Sequence, residues 1–513
     1  MRFSILFGGK AGQGVNELSK LFSEICSKKG YYGFNYRDYG SLIRGGNSFN
    51  VVSLSDKEIR SQEDEYDVIV GLDEETVAIH SGKLKKNGLV IKDLTGIVDE
   101  NKLDKKVTNV VYLGYLMKVL GLDLKSLLEE LKKEFEGKSL LEQDLIAAEK
   151  GFEGNENKDL LFKVKEVNRE VKDGTDGIVK GLIESGLDLY ISYPMTPSTP
   201  VLHKLAGKQD KFMVFQPENE IAAVNMGLGA SFAGARVAVG TSGGGFDLMT
   251  EGLSMQGLSE IPLVVYLASR PGPGTGVPTY TMQADLNVAL HGGHGEFCRV
   301  VIAPGDPEEC VRAMNDAFYL SQKHRCLVIV LSDKHLAESL YTVEMPKVKE
   351  VKIEYGRSDK NYFGKRSLPG LNICKASSYT CNEYGITSEK GEDNVKKLDW
   401  FKKKKEGIKK EKLEKVKLYG KGENLIIGSG SVKGAILDSL DENFRFLQLI
   451  YLDPLDKERI KKEIEKSKEV YVVENNSTGQ LADIVEGLGV KVKRVLKYDG
   501  RPFSKEDVKN GIR

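Results

Sequence analysis

At 513 residues the chain is long enough for about three domains, each burying a core of its own. Lys plus Arg and Asp plus Glu stand at 75 each, so no global charge draws the chain to nucleic acid or to a membrane surface. No apolar run reaches the length of a membrane span and the first residues read as a strand rather than a signal peptide, so a cytoplasmic protein is expected.

Residues 1–160 read as one α/β unit. FSILFGG is strand-like, GGKAGQG (8–14) is a glycine turn, and 15–28 has helical periodicity with Leu18, Leu21, Phe22 and Ile25 on one face. No GK[ST] follows the turn, so it is not a P-loop, and it misses the dinucleotide spacing. Two readings are open for Gly12 and Gly14: backbone N–H groups at a helix N-terminus facing phosphate, or a tight strand-to-helix turn. A second glycine corner, SLIRGGN (41–47), carries Arg44, which either faces a phosphate or is a surface charge. The polar stretch 151–159 reads as the linker out of this unit.

From 161 to 344, β-rich runs (LDLYIS, FMVF, RVAVG, LVVYLA, then CRVVIA and CLVIVLSD) alternate with helix-like stretches, including a strong amphipathic one at 306–324. That alternation predicts a doubly wound parallel sheet, whose ligands bind outside the carboxyl ends of the strands. The first four runs each lead into a Gly/Pro-rich corner: YPMTPS from Tyr193, QPENE from Gln216, TSGGG from Thr241, and RPGPGTG from Arg270. Four corners of one sheet are expected to face one crevice, where glycine lets backbone approach a ligand and turn N–H groups form anion nests. His291 and His294 have no third ligand nearby and read as a loop, so no metal site is expected in this chain. Glu251 and Glu260 flank a helix, either as paired acids or as caps in solvent.

Residues 345–421 are loop-rich and end in a lysine-heavy run, 402–421, read as a solvated helix face or linker, with an acidic-partner patch as the alternative. Residues 422–513 form a further α/β unit. Its Gly428, Gly430 and Gly434 are either a nucleotide signal or shapers of strand-to-helix turns.

Taken in order, YPMTPSTP, ENEIAA, GTSGGG with LMTEG, and RPGPGTGVPT followed by Gln283 and Asp285 resemble the alpha subunit of the 2-oxoacid:ferredoxin oxidoreductases. GGKAGQG with SLIRGGN is similar to the family's gamma domain, which is fused ahead of alpha in some members, and ENNSTGQLA resembles its C-terminal region. The resemblance implies a multidomain α/β chain of doubly wound parallel sheets. These are a gamma-type domain (1–160), a thiamine pyrimidine-binding-like domain (161–344), a loop-rich segment (345–421) and a transketolase C-terminal-like domain (422–513). It implies conversion of a 2-oxoacid, CoA and oxidised ferredoxin to acyl-CoA, CO2 and reduced ferredoxin, with 2-oxoglutarate the first choice of substrate. Thiamine diphosphate is the implied cofactor and coenzyme A the co-substrate, accommodated with help from the gamma domain.

Thiamine chemistry needs a sheltered carboxyl to hydrogen-bond the aminopyrimidine and share a proton with it near neutrality. Glu220, opening a helix of small residues with Gly229 nine positions on, resembles the activating glutamate. Glu218 is two residues away and stays open, and a first-turn acid complementing the helix dipole is the bland reading. Thr196 matches a threonine that contacts substrate or cofactor, although an N-cap before proline also explains it. Arg270 matches the arginine that grips the oxoacid carboxylate through its guanidinium fork, against the reading of a strand-end surface charge. Thr275 and Gly276 are expected to line the same pocket.

The sequence contains no GDG motif, which in the family holds magnesium against the diphosphate. Its six cysteines (Cys26, Cys298, Cys310, Cys326, Cys374, Cys381) include no CxxC for an iron–sulfur cluster. The resemblance therefore implies a separate beta subunit carrying the GDG motif, Mg2+ and [4Fe-4S], with ferredoxin as acceptor, and a chain that is inactive alone. Two rivals stand beside it: a subunit of a non-oxidative thiamine-dependent decarboxylase, and a nucleotide-binding regulatory scaffold built on the glycine turns. TCNEYG (380–385) stands where relatives often carry an EHDEYG-like run, which leaves the choice of oxoacid open.

Overall fold

The computed structural model describes residues 1–40, 46–154, 157–355, 367–371 and 374–513. The chain forms two compact units. One comprises Met1–Asp173 with Glu338–Glu344 and Phe503–Asn510; the other comprises Gly174–Ala337, Met345–Pro502 and Gly511–Arg513.

The first unit is built on a seven-stranded sheet. Its order is Leu84–Ile91, Tyr66–Gly71, Arg2–Lys10, Asn47–Ser55, Tyr32–Asp38, Leu340–Val343, Glu170–Lys172. Pairing is mixed: Arg2–Lys10 lies parallel to Tyr66–Gly71 and antiparallel to Asn47–Ser55. The helix Val15–Lys28 follows the first strand across the predicted glycine turn, and Leu18, Leu21, Phe22 and Ile25 are all buried beneath it. Gly14 has φ 77°, a left-handed backbone that favours glycine, and a Cβ there would have to displace the Asn109 amide, 2.3 Å away.

The second unit holds two sheets over a continuous apolar core that includes Val239, Val265, Phe246, Ile427 and Leu447. The larger sheet runs Tyr451–Asp453, Arg299–Ile302, Leu327–Asp333, Leu263–Ser269, Val237–Thr241, Leu189–Ser192, Met213–Phe215. It is parallel except for the edge strand Tyr451–Asp453, which pairs antiparallel with Arg299–Ile302. The smaller sheet, Val416–Gly420, Phe444–Leu449, Asn424–Gly428, Val470–Glu474, Lys493–Leu496, is likewise parallel with one antiparallel edge. Its strands are short β-branched runs joined through helices, the pattern that buries both faces of a parallel sheet.

Register brings the strand ends of the larger sheet together. Ser192 pairs with Gly240, Ile191 with Phe215, and Thr241 with Leu267. The four glycine/proline corners therefore leave one rim of one sheet. Among the described residues, no helix is long and apolar enough to cross a membrane.

Candidate active site

Glu220 is the first residue of the helix Glu220–Phe232, capped by Asn219, whose side chain accepts from Ala222 N at 2.8 Å. That cap fixes where the helix begins and turns the Glu220 side chain inward. Glu220 is only 3% exposed, whereas Glu218 is exposed. Burial thus separates two acids that the sequence left open. The neighbouring helix Gly243–Ser259 leaves room for the carboxyl: a Cβ on Gly245 would stand 2.5 Å from Glu220 Oε1 and 2.3 Å from Thr241 Oγ1. Farther along, a Cβ on Gly252 would stand 2.7 Å from a Val224 methyl, so small residues let the two helices close on each other. Glu220 Oε1 is buried and, among the described residues, has no hydrogen-bond partner. A carboxylate oxygen in that state is costly unless a donor is brought to it.

Arg270 leaves the end of the strand Leu263–Ser269 and is half-buried, and its Nη1 donates to Thr196 O at 2.8 Å. Burial lowers the guanidinium's proton affinity while Asp285 opposes the shift. The same hydrogen bond brings together two residues 74 positions apart in sequence. Thr196 is not a helix cap. The following helix, Thr199–Ala206, has Ser198 as its N-cap, and Ser198 Oγ bonds Met195 O at 2.8 Å. The Thr196 hydroxyl is thereby left out of the helix's hydrogen bonding. Thr275 and Gly276 lie exposed on the turn after Arg270. Gly276 has φ 54°, and a Cβ there would stand 1.9 Å from Pro271 O.

Asp285 completes the group, and the sequence assigned it no role beyond motif membership. A Cβ on Gly243 would stand 2.6 Å from Asp285 Oδ2, an oxygen that is buried and, among the described residues, without a partner. Burial pushes this carboxyl up to about 6, with the charge of Asp247 adding to the rise and Ser269 and Arg270 opposing it. Asp285 and Glu220 thus flank the first turn of one helix, each against a glycine. Two carboxyls beside a helix N-terminus suit its positive end. Gln283, the other motif residue, is structural. It exchanges backbone and side-chain bonds with Asn475 at 2.7 and 3.0 Å and donates to Ser429 O at 2.8 Å. The ENNSTGQLA stretch is folded around Glu474, which accepts from Leu481 N and Ala482 N, while Gln480 donates to Ala284 O.

In the first unit, Gly12 has φ 92° with open space where a Cβ would stand. Within that turn Gln13 N donates to Lys10 O and Lys10 N to Gln13 Oε1, so two of its donors are already used. Arg44 lies outside the described residues.

Residues 180–407 match the family described as pyruvate flavodoxin/ferredoxin oxidoreductase, thiamine diphosphate-binding, and residues 4–154 match pyruvate ferredoxin/flavodoxin oxidoreductase. The 2-oxoacid:ferredoxin oxidoreductase subunit alpha of a Sulfolobus species is 29% identical over 610 aligned positions, covering 100% of this chain and 96% of its own. The chain belongs to the 2-oxoacid:ferredoxin oxidoreductases, as an alpha subunit with a fused gamma domain. Another member, the 2-oxoglutarate oxidoreductase subunit KorA of Mycobacterium tuberculosis, is 25% identical, covering 99% of this chain and 91% of its own. The solved 2-oxoglutarate:ferredoxin oxidoreductase of Magnetococcus marinus, with 2-oxoglutarate, coenzyme A and succinyl-CoA bound, matches with a TM-score of 0.91 at 25% identity over all of both chains. As an alpha subunit the chain is one part of a multi-subunit enzyme. The family's thiamine diphosphate-binding region contains Thr196, Glu220, Arg270 and Asp285. The buried, unpartnered Oε1 of Glu220 suits a ring nitrogen of that cofactor.

Proposed function

We propose that this subunit, with a beta subunit, oxidatively decarboxylates a 2-oxoacid, 2-oxoglutarate first among the candidates. The acyl group passes to coenzyme A, CO2 leaves, and two electrons pass to ferredoxin. The observation that carries the reading is Glu220 Oε1, buried without a partner among the described residues, on the same rim as Arg270 and Thr196.

Thiamine diphosphate supplies a nucleophilic carbon and a ring that holds the electrons left by the departing CO2. With the cofactor bound, the Glu220 carboxyl would hold the far nitrogen of the aminopyrimidine by a hydrogen bond, the position of a group that moves a proton there. Arg270 grips the oxoacid carboxylate with the face of its fork not used by Thr196 O, and the Thr196 hydroxyl bonds the keto or carboxylate oxygen. Thr275 and Gly276 border the substrate. The beta subunit brings the GDG motif, Mg2+ and the [4Fe-4S] cluster, none of which this sequence encodes in recognisable form. The gamma-type domain, 1–160, takes part in holding coenzyme A through the turn at Gly12 and Gly14 and through Arg44.

The test is coexpression with the beta subunit and an assay of CoA-dependent dye reduction. Glu220→Gln is expected to lower turnover by roughly 10²–10⁴-fold, the range of a lost proton-transfer group, while Glu218→Gln leaves it near wild type. Aldehyde formation without dye reduction would select the non-oxidative decarboxylase. Unchanged turnover in Glu220→Gln would remove the assignment of the site.

A further inference from the structure

At the opposite end of the larger sheet, away from the rim of corners, the second unit contains a cavity of about 780 Å³. Arg299 lies in its wall. This residue opens the strand Arg299–Ile302 and stands level with Leu263, at the start of the strand that ends beside Arg270. The separation along the strand is about 20 Å, from the rise per residue. The cavity is therefore not part of the crevice that holds Glu220.

Arg299 is 6% exposed. Its Nη1 donates to Ala289 O at 3.2 Å, and its guanidinium lies 4.5 Å from the Phe297 ring centroid. Among the described residues Nε and Nη2 have no hydrogen-bond partner. Asp453 is the acid whose field reaches it, but Asp453 is already paired with Lys405 at 3.0 Å. Burial accordingly lowers the guanidinium's proton affinity, with Asp453 offsetting only part of the shift. A guanidinium is effectively always charged, so the fork stays cationic and under-compensated.

The rest of the lining sharpens the sign of the ligand. Six Lys or Arg side chains face four carboxylates around the cavity. Pairing takes up charge of both signs: Asp453 pairs with Lys405, Asp456 caps a helix at Arg459 N, Lys402 lies 3.2 Å from Asp399 and Lys409 2.6 Å from Glu406, which leaves the Arg299 fork as the buried charge facing the cavity. Lys402 and Lys457 are exposed at its edge. Phe297 and Phe401 contribute flat apolar surface to the wall. The volume lies within the usual range for sites of nucleotide-sized ligands. A divalent cation would be repelled by the buried Arg299 guanidinium, and an apolar molecule would strand its fork.

We propose that this cavity binds a phosphorylated small molecule of nucleoside-diphosphate size, with a phosphate on the free edge of Arg299, further charge met at the exposed edge by Lys402 and Lys457, and the aromatic walls beside the base. Bidentate phosphate recognition is what a planar guanidinium does best, and lysines serve as point charges around it.

The test uses the complex with its beta subunit and calorimetric titration with ADP and, separately, inorganic pyrophosphate. Each is expected to bind once per alpha chain, more weakly as salt rises. Arg299→Lys, and the exposed pair Lys402→Gln with Lys457→Gln, should each weaken ADP by about tenfold or more, as expected for a lost charge-assisted hydrogen bond. The KM for coenzyme A should stay unchanged in both, which separates this cavity from the coenzyme's own site and from the reading of the catalytic crevice. The exposed lysine pair keeps the test decisive should Arg299→Lys fold poorly. No saturable binding of either probe to the complex overturns the proposal. So does equal ADP affinity in wild type and the lysine pair, since the nucleotide then sits elsewhere, and so does binding by the free chain that the complex lacks, since the beta subunit then fills the cavity.

Discussion

Gly245 and Asp285 show how much of the crevice is decided by single atoms. A methyl group on Gly245 meets Glu220 Oε1 at 2.5 Å and Thr241 Oγ1 at 2.3 Å, and the carboxyl must move. Gly245→Ala also gains helix propensity, about 1 kcal/mol at most, which offsets part of an overpacking cost of about 1–3 kcal/mol. The unfolding temperature should therefore change little while turnover of the complex falls by about 100-fold, the usual effect of a misplaced reacting group. A variant with wild-type turnover would show that the carboxyl's position is not required. Asp285 makes a prediction in pH. Its carboxyl titrates near 6 in the folded chain against an ordinary value of 3.8. Between those values the unfolded chain releases its proton first, so stability falls as pH rises from about 4 to about 6 and stays lower above that. Asp285→Asn removes the penalty. Thermal unfolding should show the variant more stable than wild type at pH 7 by between about 1 and 3 kcal/mol, with the gap closing below pH 4. These two residues also mark the limit of reading at this scale. The spacing of E-x-A-A singles out Glu220 and its neighbour Glu218, but only burial chooses between them. Asp285 belongs to a visible motif, yet its shifted proton affinity comes from tertiary surroundings that no local pattern contains.

The helix Gly391–Lys409 is where local patterning misleads most. Its lysine-rich second half reads as solvated, yet its buried residues are Lys397, Phe401, Lys404 and Ile408, a stripe at helical spacing. Both lysines reach Glu260, which is 1% exposed and sits in a left-handed backbone conformation at the end of the helix Gly243–Ser259. Lys397 Nζ lies 2.5 Å from Glu260 Oε1, Trp400 Nε1 donates to Oε2 at 3.0 Å, and Lys404 pairs with the same carboxylate. Burial works against the charge on Glu260, but Lys404, Arg325 and Lys397 outweigh it and hold the carboxyl well below its ordinary range. The stripe was present in the sequence. Its partner, more than 130 positions away, was not identifiable, and without it an ammonium on a buried face looks like an error of phase. Glu260→Gln would leave two buried ammonium groups without their carboxylate, at a cost of about 3–5 kcal/mol. Denaturant titration should show the second unit losing stability by that amount. The paired variant Lys397→Met with Glu260→Gln should recover part of it. Equal stability of wild type and Glu260→Gln would mean that water, not the carboxylate, satisfies the lysines.

Over the whole molecule, the strands and helices that follow one another in sequence were legible, and the pairings between distant segments were not. The order strand, glycine corner, helix is written in periodicity and turn residues, and the structure repeats it through the larger sheet. That Tyr451–Asp453 would cross into that sheet, or Leu340–Val343 into the sheet of the first unit, depends on contacts spanning over a hundred residues and leaves no local trace. The same scale governs the partner. Around the rim, Tyr193 follows the first strand end, Phe215 closes the edge strand at 44% exposure, and Leu248, at 50%, stands on the helix whose first turn cradles Glu220. Apolar groups gathered on one rim, next to a buried acid without a donor, suit the face of another subunit better than open water. A beta subunit seated there would shelter the apolar groups and complete the thiamine site in one event, so the two should be lost together. Phe215→Glu with Leu248→Glu places two charges in that contact, each costing about 2 kcal/mol or more if the position is an anchor. Size-exclusion chromatography should show the alpha and beta chains separating at micromolar concentration, and thiamine diphosphate affinity should fall with it. The unfolding temperature of the isolated chain should not drop, because both side chains already face solvent. A variant that keeps its beta subunit would place the contact elsewhere on the chain, whereas one that keeps its beta subunit but loses cofactor would assign these residues to the pocket itself.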